Sequence, residues 1–175
     1  MVSDTSSGER VRSKVWMRMA KLTKLEGLTL RRRSPDARTL PRSAAAGAAA
    51  ACAWAAFEPL DRRLLRHDYS DVAVLGKLVT RSRAWPLAGV VFHAANGAAF
   101  GVAFELVRRR VRVPPRRLAP TLALAEHLAL FPLGRIVDAR HPARGEPGVA
   151  SLTGWRAFAQ ATVRHALFGV VLGRL

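Results

Sequence analysis

Residues 84–104 run for 21 positions without an Asp, Glu, Lys or Arg, in a 175-residue chain whose formal net charge is +17. As a helix this stretch is about 32 Å long at ~1.5 Å per residue, enough to cross a hydrocarbon core of ~30 Å. The fold class expected from it is all-α, and the chain is expected to be a membrane protein.

Three weaker segments accompany it. Ser43 to Phe57 is Ala-rich and uncharged, Leu118 to Gly134 is interrupted by Glu126 and His127, and Ala157 to Gly173 by Arg164 and His165. A charge at a helix centre costs roughly 2.5–3.5 kcal/mol, so such spans insert with help from neighbouring helices. The economical count is four transmembrane helices, at about 43–60, 84–107, 118–134 and 157–173, in a domain of residues 43–175 behind a basic tail of residues 1–42. Pro41, Pro86 and Pro120 each fall in the first turn of an expected span, where the missing N–H costs nothing. Trp54, Trp85 and Trp155 stand where an interfacial belt on one side of the bilayer would put them.

Basic residues give the orientation. With the N-terminus in the cytoplasm, 18 Lys and Arg lie on the inner side against 10 on the outer. The densest cluster, Arg108, Arg109, Arg110, Arg112, Arg116 and Arg117, is in a short loop, where the positive-inside rule is most dependable. Both termini are therefore expected in the cytoplasm.

Arg outnumbers Lys 25 to 4, which fits the coding bias of a G+C-rich genome. The pI near 11.8 also invites a nucleic-acid-binding reading. That reading fails on distribution, because a soluble basic domain of this size would not enclose four separated apolar stretches, so no nucleic-acid partner is expected. Within the tail, Val15 to Leu28 sets Trp16, Met19, Leu22 and Leu25 among Arg18, Lys21 and Lys24. It reads as a solvated tail, as a basic amphipathic helix on anionic lipid, or, given Met17 and Met19, as an extension ahead of the true start. A signal peptide ending near Ala55 is disfavoured by an n-region of more than 40 residues.

The most specific pattern is a repeated one. His93, Gly97 and Gly101 in span two and His165, Gly169 and Gly173 in span four both follow H-x3-G-x3-G. That spacing puts each His and its glycines on one stripe, where a partner helix can approach closely. Gly89 belongs to the same packing set, and the same stripes could join protomers into a homo-oligomer. Spans one and three echo each other at Phe57-Glu58-Pro59-Leu60 and Phe131-Pro132-Leu133, each with a helix expected to end at its Pro-Leu. We infer two helical hairpins arranged as a 2+2 parallel repeat.

The polar groups of the spans are Glu58, His93, Asn96, Glu126, His127, Arg164 and His165. Glu126 and Arg164 fall at similar depth, so an ion pair between them is expected. The bland reading is that these groups fix helix register, since interhelical polar contacts of ~0.6–2 kcal/mol are ordinary. Two functional readings compete with it: a proton or small-solute conduit, and a haem- or metal-binding bundle using His93 and His165. Neither a metal nor a cofactor is expected on balance, because two imidazoles alone are a weak ligand set. Cys52, the only cysteine, reads as a small packing residue.

No Ser-His-Asp context, HExxH or P-loop is present, so no catalytic residues are expected and the chain is not expected to be an enzyme. His67, Asp138 and His141 read as solvated loop residues. Ser70 is placed to cap a short helix carrying Val72, Val74, Leu75, Leu78 and Val79.

Trp54 followed by Glu58-Pro59-Leu60, His93, the run His127-x3-Phe131-Pro132-Leu133, and His165 together resemble the YagU-like family of small bacterial inner-membrane proteins, over roughly residues 43–175. The resemblance implies a helical protein of the bacterial inner membrane linked to acid resistance; the role expected for the chain is structural or one of interaction in that membrane. It carries over no catalytic residue.

Overall fold

The computed structural model describes residues 38–175, so the basic segment that includes Val15 to Leu28 lies outside the described residues. Six α-helices and one 3-10 turn account for the regular structure of the described residues, and they contain no strand. The helices are α1 (Thr39–Leu65), α2 (Asp71–Val79), α3 (Trp85–Arg108), α4 (Pro115–Leu130), α5 (Gly134–Arg140) and α6 (Trp155–Leu172), with the 3-10 turn at Phe131–Leu133 between α4 and α5. The all-α expectation holds. Among the described residues one helix, α3, is long and apolar enough to cross a membrane.

Local chemistry explains most of the boundaries. Ser70 caps α2, its hydroxyl accepting from the Ala73 N–H at 3.1 Å, as its position suggested. Proline opens α3 at Pro86 and α4 at Pro115. α4 thus begins before the expected span, and Pro120 lies inside it rather than in its first turn. Pro132 interrupts the run from α4 to α5 and leaves the 3-10 turn there. Pro59 does not end α1, which continues to Leu65 because the following turn is held from outside by the buried Asp61.

The helices pack in pairs: α1 against α3, α2 against α3, α4 against α6, and α1 against α6. Close approach depends on missing side chains. A Cβ on Gly97 would meet the Ala51 Cβ at 2.5 Å, and one on Gly101 would overlap the Ser43 carbonyl oxygen. In the other pair, a Cβ on Gly169 would run into the Pro120 backbone, and one on Gly173 would lie 2.9 Å from the Pro115 carbonyl oxygen. Both H-x3-G-x3-G stripes therefore face the preceding long helix, and each descends it one turn per glycine. Gly89 meets Val72 of α2 in the same way.

At the opposite end the loops fold over α2. Gly148, at φ +81°, donates its N–H to Asp68 at 2.9 Å and its carbonyl accepts from Ser70 N at 2.9 Å. The backbone-bond donor Gly148 is the main reason the Asp68 carboxyl sits below its ordinary range. His141 is buried rather than solvated, because Nε2 donates to the Val74 carbonyl at 2.9 Å and Nδ1 accepts from Ala143 N at 3.1 Å. Cys52 is exposed, so it is not a packing residue.

Candidate functional site

The site begins with Arg164, which is fully buried on the stripe of α6 that also carries Gln160 and Phe168 and faces α1. Its guanidinium forks onto Asp61, with Nη2 donating to Oδ1 at 2.7 Å and Nε donating to Oδ2. Nη1 donates to Asp71 Oδ2 at 2.8 Å and lies 3.7 Å from Glu58, while Nη2 also reaches the Tyr69 carbonyl at 2.9 Å. The Tyr69 ring lies under the guanidinium, its centroid 4.9 Å from Cζ.

The carboxylates are satisfied in turn. Gln160 donates to Asp61 at 2.6 Å, and Trp54 Nε1 donates to Asp71 at 2.9 Å. The Tyr69 hydroxyl donates to Asp71 and the Ser70 hydroxyl to Glu58, whose other oxygen accepts from Asp71 N at 2.8 Å. Burial, reinforced by the Asp71 carboxylate, holds the Tyr69 phenol well above its ordinary value, so it remains a donor. α1, α2, α6 and the loop before α2 are thereby tied through one charged cluster.

Below that cluster Trp54 forms a wall between two histidines. Its ring meets His93 at 5.2 Å and His165 at 4.6 Å, both edge to face, and His127 lies 4.9 Å from His165. The hydrogen bonds fix the tautomers. His165 Nδ1 faces the Ala161 carbonyl at 2.7 Å and must carry the proton there. Thr162 donates its single hydroxyl proton to the Phe158 carbonyl, so His127 Nε2, at 3.0 Å, is the donor to Thr162. His93 bonds the Ala51 carbonyl, and its Nε2 is buried without a partner among the described residues.

A half-open cavity of about 180 Å³ lies between these groups, lined by Trp54, Asp71, His93, Asn96, Phe100, Glu126, His165 and Phe168 among others. Its volume is below the ~300–1,000 Å³ of ordinary cofactor sites. Among the described residues no group of three or more His, Cys, Asp and Glu side chains is disposed to hold a metal ion.

Of the residues singled out from the sequence, Glu58 and Arg164 join the charged cluster, while His93, Asn96, Glu126 and His165 line the cavity and His127 touches it through His165. The expected Glu126–Arg164 pair does not form. Azimuth decides contact: Arg164 faces α1, whereas Glu126 sits half-buried on α4 with no ion pair among the described residues. Trp54 is not a belt residue either, being buried with its indole N–H committed to Asp71. Sequence reasoning missed Asp61, Asp71, Tyr69 and Gln160. A signal for two of them was present, since Gln160 and Arg164 are one helical turn apart, as are Glu58 and Asp61.

Comparison with known protein families, with curated proteins and with solved structures finds no match to this chain.

Proposed function

We propose that the chain is a four-span protein of the bacterial inner membrane, with both termini cytoplasmic and a structural or interaction role in which the Arg164 cluster locks the helices together. One observation carries this reading: a fully buried charged cluster sits among helices whose outward faces carry large apolar side chains. Arg164, Gln160 and Asp61 are sealed inside, while Leu87, Val91, Phe92, Val163 and Val170 face outward. In water a fully buried Arg is rare and large contiguous apolar patches are uncommon, whereas in lipid the interior is where charges belong. Only 28% of the apolar stretch of α3 is buried against the rest of the chain, which favours a lipid-facing helix over a core helix.

The glycine contacts support the 2+2 repeat. Trp54 and His127 each stand five residues before a Pro-Leu, and each ring lies against the histidine of the H-x3-G-x3-G helix that follows. α4 is only 16 residues long, and the turn at Phe131–Leu133 with α5 extends the run. α6 falls short on hydropathy because Gln160, Arg164 and His165 occupy its inner stripe. We read the chain as non-enzymatic, and its resemblance to YagU-like proteins adds a link to acid stress.

A conduit would need polar groups reaching both faces. Beside the cavity, Phe100 and Phe168 meet edge to face at 5.1 Å and pack with Phe104, Leu118 and Leu172 into an apolar cluster. That cluster favours a closed interior. In liposomes under an imposed pH gradient, the wild type and a His93→Ala, His165→Ala variant at equal density should show the same background leak. Flux present in the wild type and lost in the variant would replace this reading with conduction.

A further inference from the structure

The cavity holds polar atoms that the locking cluster does not use. His93 is 7% exposed and its Nε2 has no partner, and neither Asn96 nor Glu126 carries a hydrogen bond or ion pair among the described residues. Asn96 is exposed at the edge of the cavity and Glu126 is half-buried in it, and an unpartnered ionisable group on such a helix marks a place where a counterpart binds.

The chemistry of the lining selects that counterpart. His165 and His93 each spend one ring nitrogen as a donor to a backbone carbonyl, so in the neutral ring the other nitrogen is an acceptor. Glu126 and Asp71 add carboxylate oxygens. The neighbouring donors are committed: Trp54 Nε1 to Asp71, and the guanidinium of Arg164 to Asp61, Asp71 and Tyr69. Asn96 alone has free N–H groups in the lining. Trp54, Phe100 and Phe168 supply ring surfaces. Asp71 and Glu126 line the cavity, and no Lys or Arg does, so its charged lining is acidic inside a chain of net charge +17.

We propose that this cavity binds the ammonium end of a small lipophilic amine, with Glu126 as its counter-ion, the free imidazole nitrogen of His93 accepting an N–H, and the aromatic rings packed around the carbon skeleton. The size fits, because an engineered cavity of about 150 Å³ takes up benzene, and the half-open mouth lets a longer chain extend outward. Cation–π contact with the rings adds to the charge pairing.

The test uses the full chain in micelles of a neutral detergent at pH 7, with octylammonium, octanol and octanoate as probes. Thermal unfolding and tryptophan fluorescence provide the readouts. Octylammonium should bind at least roughly tenfold more tightly than either other probe, a margin set by one charge pair. The net charge of the chain would by itself favour octanoate, so this preference opposes nonspecific attraction. Glu126→Gln should abolish the preference while leaving the unfolding midpoint without probe near that of the wild type. Asn96→Asp, which adds a carboxylate at the mouth, should strengthen octylammonium binding. Equal binding of the three probes, a preference for octanoate, or indifference to both variants would overturn the proposal without touching the locking role of Arg164.

Discussion

Arg164→Leu is expected to destabilise the folded protein by about 3–5 kcal/mol, the cost of leaving buried charge without its partner. The reason is the imbalance it creates. Asp61 is 2% exposed and Glu58 4%, and both would keep their places while losing the guanidinium they share. Gln160 and Ser70 could still donate to them, but neutral donors do not offset a buried charge. Arg164→Lys should recover part of the loss. It restores the charge but cannot reproduce the fork on Asp61 together with the bond to Asp71. Unfolding in mixed neutral-detergent and dodecyl sulfate micelles measures both variants. A Leu variant within about 1 kcal/mol of the wild type would mean that the cluster is not what holds α6 to α1.

The second large effect is expected at Gly101. An alanine there puts its Cβ inside the Ser43 carbonyl oxygen, with further atoms of Ser43 and Gly47 close behind. Nothing in that contact is a flexible side chain, so α1 and α3 must move apart as rigid bodies. The expected cost is about 1–3 kcal/mol, as for overpacking in a close-packed core. Gly173→Ala provides the internal comparison. Its Cβ would lie 2.9 Å from the Pro115 carbonyl oxygen and 3.1 Å from Arg116 Cα, at the end of α6 where the chain can yield. It should cost less than about 1 kcal/mol. The same unfolding titration ranks the two, and a larger loss at Gly173 would contradict the packing described for the α1–α3 pair.

What could be read from the sequence followed a physical divide. Signals that act along one helix were legible: the uncharged run of residues 84–104 marks α3, Ser70 marks the start of α2, and the spacing of His93, Gly97 and Gly101 marks a stripe. Signals that depend on how helices rotate against one another were not. Glu126 and Arg164 were expected to pair, but the partners of Arg164 come instead from α1 and the first turn of α2. Asp61 looked like loop because Pro59 precedes it, yet a tertiary contact carries α1 past that proline. Asp71 carries no sequence signal beyond following the capping Ser70, although its Oδ2 collects Trp54 and Arg164. The histidines were identifiable as a set. The tautomer that leaves the His93 Nε2 bare is set by a tertiary contact to the Ala51 carbonyl.

The most direct test of the central claim is the membrane arrangement itself. In a Cys52→Ser background, Arg144→Cys and Arg110→Cys place single thiols on the two loops assigned to opposite sides, and both native residues are exposed. The chain should fractionate with membranes. Membrane-impermeant maleimide applied to cells with a permeabilised outer membrane should label position 144 at once and position 110 only after lysis. Equal labelling of both positions before lysis, or recovery of the chain in the soluble fraction, would contradict an inner-membrane protein with cytoplasmic termini and a charged cluster sealed between its helices.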